Sequence, residues 1–271
     1  MRLLYTHGLG GTPRAQPEID EVFAPPGYSV TRVAVPHHGS APELIAKLAT
    51  STFGDLCRWV HEGAENLMAA ARQFAPEPYA VVGDSLGGFI SVVAAERDPR
   101  ISHCVLLACS GDFCDAMMRL PALNSALGAI AGKMAEVGNV GIEAQAHRAI
   151  SGHSDFQYDF ESINTFEPER LARLKRLLIL GDKRDPVAPE RACIHFADGV
   201  ADATVRMVYD EGRHHPIGRD ALQRYALPFL QNRPVPEVLP YSAKNQTTDG
   251  GSPIKAAVRR ILRRLRPSSH T

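Results

Sequence analysis

The chain has 271 residues, 30 Lys/Arg balanced by 30 Asp/Glu, with 44% hydrophobic and 22% charged residues. That length suits one large domain with a sizeable core, and the neutral balance argues against a general nucleic-acid binder, which carries a basic excess. No apolar run approaches the roughly 18 residues of a membrane-spanning helix, and the opening Met1-Arg2-Leu3-Leu4-Tyr5-Thr6-His7-Gly8 reaches histidine and glycine before a signal-peptide core forms. Cys57, Cys104, Cys109, Cys114 and Cys193 are odd in number and contain no CxxC pair. They suit reduced thiols in a cytoplasmic protein and offer neither a disulfide framework nor a thiolate metal site.

In chain order, short apolar runs alternate with helical patterns, the signature of a mostly parallel α/β sheet flanked by helices. Strands are expected at 2–6, 28–35, 79–82, 103–109, 177–180 and 204–209. Helices are expected at 17–23, 55–74, 88–96, 190–196 and 220–231. Between about 110 and 168 the rhythm breaks. There is no good strand there, but Leu120, Leu123, Leu127, Ile130 and Met134 recur at helical spacing, which reads as a small inserted helical cap. The body therefore spans 1–232.

A composition shift follows. Residues 233–254 are rich in proline and small polar residues, which bury too little to offset ordering, and read as a flexible linker. Residues 255–271 place Val258, Ile261, Leu262 and Leu265 on one helical face with arginines elsewhere. From Pro234 onward seven Lys/Arg face only Glu237 and Asp249, an excess of +5 that leaves −5 on the body. Such a basic amphipathic tail is suited to a weak contact with an anionic membrane surface or an acidic partner, or to no contact at all.

The chemistry concentrates in a few loops. Gly83-Asp84-Ser85-Leu86-Gly87 fits G-x-S-x-G between a strand and a helix, the setting of a nucleophile elbow. Glycines flank Ser85 because the turn leaves no room for a side chain, and the following helix start points free N–H groups at a developing oxyanion. A serine hydroxyl needs an imidazole to take its proton, and that imidazole needs a carboxylate to fix its tautomer. Downstream, Gly181-Asp182-Lys183-Arg184-Asp185-Pro186-Val187-Ala188-Pro189 supplies two carboxylates, and Gly212-Arg213-His214-His215-Pro216 supplies two imidazoles. No P-loop or G-x-G-x-x-G stands at a strand–helix junction, and the adjacent histidine pairs lack metal-ligand spacing, so neither cofactor nor metal is expected.

These three loops in this order, together with His7-Gly8-Leu9-Gly10 and Pro36-His37-His38-Gly39-Ser40, resemble the α/β-hydrolase superfamily over about residues 1–232. The resemblance implies that fold, without its first two strands. It implies Ser85 as nucleophile, Asp185 as acid with Asp182 as its rival, and His214 as base with His215 as its rival. The backbone N–H groups of Leu9 and Leu86 would form the oxyanion hole, with His7 holding its loop. The substrate pocket would be lined by Leu9, Leu86 and the cap residues Met117, Met118, Leu120 and Leu123. The expected activity is hydrolysis of a small-molecule ester or thioester with an apolar acyl portion. Acyl transfer, a cofactor-free lyase or cyclase reaction, and ligand binding without turnover are the alternatives. Oligomeric state is not legible.

Overall fold

The computed structural model describes residues 1–9, 11–14, 16–38, 53–113, 116, 172–214 and 216–238. Six strands, β1 (Arg2–Thr6), β2 (Ser29–Val33), β3 (Tyr79–Asp84), β4 (Ile101–Leu107), β5 (Leu177–Asp182) and β6 (Ala203–Tyr209), form one parallel sheet in the order β2-β1-β3-β4-β5-β6. Among the described residues the helices are α1 (Glu18–Phe23), α2 (Phe53–Ala70), α3 (Leu86–Arg97), α4 (Glu190–Ala197), α5 (Arg219–Ala221) and α6 (Leu227–Leu230).

The inner strands β1, β3, β4 and β5 read as largely apolar runs because both faces are covered. Leu4, Val81, Cys104, Leu106, Leu177 and Ile179 pack on one side with Val60 and Leu67 of α2, Ile90 and Val93 of α3, and Phe196 of α4. Leu3, Tyr5, Val82, Val105, Leu107, Leu178 and Leu180 pack on the other with Ile19 and Phe23 of α1 and with Leu222 and Phe229. Helices α2 and α3 approach closely at Gly63, where an added Cβ would lie 2.5 Å from Ile90 Cδ1.

The chain leaves β1 toward β2 on one side and later returns to place β3 on the other. Ligands of open α/β sheets bind at such a reversal, beyond the carboxyl ends of the strands. Thr6 and Gly83 are register partners there, so the loop after β1 and the turn after β3 emerge side by side.

The last helical segment is not uniform. A π-helical stretch, Leu222–Ala226, joins α5 to α6. Pro228 has no N–H for the Arg224 carbonyl and its ring crowds that group, which favours the wider turn.

The compact body runs to Val238, six residues past the expected boundary. Val235 and Val238 pack against the second core cluster, and the Arg206 guanidinium donates to the carbonyls of Pro236 at 2.9 Å and Val235 at 3.4 Å. The expected linker beyond this point, the basic tail, and the cap with Met117, Met118, Leu120 and Leu123 lie outside the described residues. Among the described residues, no helix is long and apolar enough to cross a membrane.

Candidate active site

Ser85 follows β3 directly, in a backbone conformation with φ 48° and ψ −112°. A positive φ is costly for a side chain other than glycine, so the surroundings must impose it. They do: the Ser85 N–H donates to Leu107 O at 2.8 Å, and its carbonyl accepts the Gly88 N–H at 2.9 Å. The flanking glycines are required by close approach. A Cβ on Gly83 would lie 2.2 Å from Gly87 O, and one on Gly87 would lie 2.3 Å from Thr6 O.

Three side chains from three distant segments meet here. The Ser85 hydroxyl lies 2.8 Å from His214 Nε2, and His214 Nδ1 lies 2.8 Å from Asp185 Oδ2. A carboxylate only accepts, so Nδ1 carries the proton and Nε2 offers its lone pair to the serine. Asp185 is 1% exposed. Its other oxygen accepts the N–H groups of Val187 at 2.7 Å and Ala188 at 3.1 Å. His214 is partly buried, its side chain 21% exposed; this disfavours its charged form, but the hydrogen bond and charge of Asp185 with the added charge of Asp84 outweigh it and raise the pKa.

The rival acid is placed elsewhere. Asp182 turns its carboxylate to backbone N–H groups of Arg184, Glu211 and Gly212, while Asp185 faces the imidazole. The rival base His215 lies outside the described residues.

The loop after β1 is fixed by its own ring. The Val35 N–H donates to His7 Nε2 at 3.1 Å, so the ring proton sits on Nδ1 and is donated to Gly8 O at 2.9 Å. Burial lowers the His7 pKa to about 4, keeping the ring neutral. Gly8 O also accepts the Gly11 N–H at 3.0 Å. Because the Gly8 carbonyl and the Leu9 N–H share one planar peptide, pinning the first sets the direction of the second. Gly8 packs on the elbow: a Cβ there would lie 3.1 Å from Ser85 Cβ. Leu9 itself is 47% exposed. The Leu86 N–H belongs to the first turn of α3, where intrahelical partners are lacking.

Arg32 was not among the candidate residues, yet it braces this loop from behind. It donates to Pro13 O at 2.6 Å, Gln16 O at 2.9 Å and Asp20 Oδ2 at 2.7 Å, and lies over the Tyr5 ring at 5.0 Å. A single arginine in a strand gives no sequence signal of such a role.

Asp84 brings a second carboxylate beside the site. Burial raises its pKa to about 6, against the lowering effects of His214 and the Gly8 amide. An imidazole can act as a base only when neutral, so any reaction that uses His214 as its base should slow as pH drops through the His214 pKa. Asp84→Asn removes a charge that raises that pKa; the acid limb of the kcat profile should therefore move to lower pH. A limb that stays in place or moves up in an ester-hydrolysis profile would contradict this coupling.

The described cysteines Cys57, Cys104, Cys109 and Cys193 are buried thiols. Burial pushes the Cys104 and Cys109 thiols up, which fits apolar filling rather than reactivity. Among the described residues, no group of three or more His, Cys, Asp or Glu is arranged to hold a metal ion.

This architecture places the chain among known proteins. A sequence model of the alpha/beta hydrolase fold matches residues 2–148, and the chain belongs to that family. A comparison with curated proteins returned no match. Among solved structures, the chain is similar to MenH from S. aureus, with 15% identity, a TM-score of 0.56, and 86% of this chain and 94% of that one covered. It is also similar to a monoacylglycerol lipase of Paleococcus ferrophilus, with 19% identity, a TM-score of 0.53, and 82% and 91% covered. A hydrolase from Oleispira antarctica, olei00960, gives 14% identity, a TM-score of 0.53, and 86% and 91% covered. At these identities the likeness is one of fold.

Proposed function

We propose that the protein is a serine hydrolase that cleaves a carboxylic ester or thioester through an acyl-enzyme. The observation that carries this reading is the continuous chain from the Ser85 hydroxyl through His214 to the buried Asp185, both links 2.8 Å long. Ser85 Oγ attacks the carbonyl carbon while its proton passes to His214 Nε2. The imidazolium so formed is stabilised by Asp185, which stays ionised. The carbonyl oxygen becomes an oxyanion facing the N–H groups of Leu9 and Leu86, each such donor contributing about 3–4 kcal/mol to the transition state. Collapse expels an alcohol or thiol that takes the proton from His214. Water then enters by the same route in reverse, giving the free acid and restoring Ser85.

An apolar acyl portion is supported by the exposed Leu9 and by Leu86 beside the serine, and by the Met/Leu content of the proposed cap around Met117, Met118, Leu120 and Leu123. The odd number and scattered spacing of the cysteines support a cytoplasmic setting.

The test is turnover of p-nitrophenyl and thioester substrates of increasing acyl length, with and without added alcohol or amine. Free acid as the only product at every acceptor concentration is expected. Quantitative transfer to the added acceptor would make the protein an acyltransferase, and no turnover of any ester by the folded chain would overturn the reading.

A further inference from the structure

Among the described residues, the segment that carries His214 has no regular structure between the end of β6 at Tyr209 and the start of α5 at Arg219, and it passes through Gly212 at φ 70°. A base held on such a segment needs anchors from outside it, since an error of about 1 Å in a reacting group costs roughly 100-fold in rate.

The anchors come from the turn after β5. Asp182, 2% exposed, accepts the Glu211 N–H on Oδ2 at 2.8 Å. On Oδ1 it accepts the Gly212 N–H at 3.1 Å and the Arg184 N–H at 2.9 Å. Its own carbonyl accepts the Asp185 N–H at 3.1 Å. Beside it, the Lys183 N–H donates to Tyr209 O at 2.9 Å. Arg184 closes over the segment from the solvent side, with Nε on Asp210 Oδ1 at 2.6 Å and Nη2 on Asp210 O at 2.5 Å. One buried carboxylate thus stands between the turn that ends in Asp185 and the segment that ends in His214.

We propose that Asp182 is a positioning residue: it joins the acid-bearing turn and the base-bearing segment into one rigid unit, and so keeps Asp185 on His214 Nδ1. This rests on the serine-hydrolase reading for its effect on rate, though not for its effect on structure. A carboxylate suits the task because both oxygens accept, whereas an amide offers one acceptor and turns a donor toward the N–H groups on its other side. Burial alone would raise its pKa. The N–H donors that surround it outweigh burial and lower its pKa, so it stays ionised at neutral pH.

The test compares Asp182→Asn and Arg184→Ala with the wild type in the full chain. Asp182→Asn should lower kcat for a p-nitrophenyl ester by about 10- to 100-fold while KM changes by less than about threefold, because the substrate does not touch it. Arg184 is exposed, so Arg184→Ala should fold and lower kcat by about 3- to 10-fold, on the same misplacement argument. Two readouts do not need turnover. Hydrogen exchange at the Glu211 and Gly212 amides should quicken, and the downfield Nδ1 proton of His214 should broaden in the NMR spectrum. Faster exchange and a broadened proton in a protein that hydrolyses no ester would refute the hydrolase reading and leave the joint between the two segments standing. Wild-type exchange, a sharp Nδ1 proton and unchanged kcat in the variants would overturn the proposal. Should Asp182→Asn fail to fold, the same three readings on Arg184→Ala decide.

Discussion

Asp185→Asn should lower kcat by about 10,000-fold with the fold intact, the size of effect seen when the orienting acid of a triad is neutralised. The reason lies in how the two carboxylate oxygens are used. One accepts the Val187 and Ala188 N–H groups, so in the variant the amide oxygen takes that side. The NH2 group then faces His214 Nδ1 and donates to it. The ring proton moves to Nε2, where the Ser85 proton must arrive, and the base is blocked without being removed. His214→Ala should give a loss of similar or greater size, because it removes the acceptor itself. Kinetics on a soluble ester, with circular dichroism to verify folding, would check both. A loss of less than tenfold for Asp185→Asn would mean that another group orients the imidazole.

Gly87→Ala, like Gly83→Ala, should be among the most destabilising single methyl additions at the elbow. The new carbon would lie 2.3 Å from Thr6 O and 2.7 Å from His7 O. Both are backbone atoms at the end of β1, and neither can swing aside as a side chain would. Relief requires α3 to move away from the sheet, which overpacking data place at about 3 kcal/mol or more for a rigid site. For a chain of this size that corresponds to a fall in Tm of roughly 6–12 °C, accompanied by loss of activity as Ser85 shifts from His214. Gly27 provides the contrast: nothing lies within 4 Å of a Cβ there, and only its φ of 91° resists substitution. Gly27→Ala should therefore cost about 1 kcal/mol and leave turnover intact. Thermal melts of the two variants would check the order, and equal Tm values would show that the elbow relaxes more freely than the packing implies.

The sheet was legible because burial on both faces leaves apolar runs with sharp ends, as at Tyr79–Asp84 and Leu177–Asp182. The helix expected at 55–74 emerges as an α-helix to Ala70 with a 3-10 turn, Ala71–Phe74, a distinction that depends on hydrogen bonding rather than on residue pattern. Ser85 could be singled out because an elbow needs glycines on both sides. The two aspartates after Gly181 could not be separated from spacing alone: each is an acid in the same turn, and only the fold decides which faces the imidazole and which faces backbone N–H groups. Arg32 was invisible for a different reason. Its hold on the loop runs in part through the carbonyls of Pro13 and Gln16, and a carbonyl has no letter in the sequence.

The central claim is that His214, held by Asp185, activates Ser85 as a nucleophile. Labelling with a fluorophosphonate probe followed by peptide mapping tests it most directly, since the probe forms a covalent phosphorus–oxygen bond only with an activated hydroxyl and releases fluoride. A single adduct on Ser85 in the wild type, absent in Ser85→Ala and slowed at least about 1,000-fold in His214→Ala, is the expected result. An adduct on another residue, or labelling of Ser85 at the same rate without His214, would contradict it.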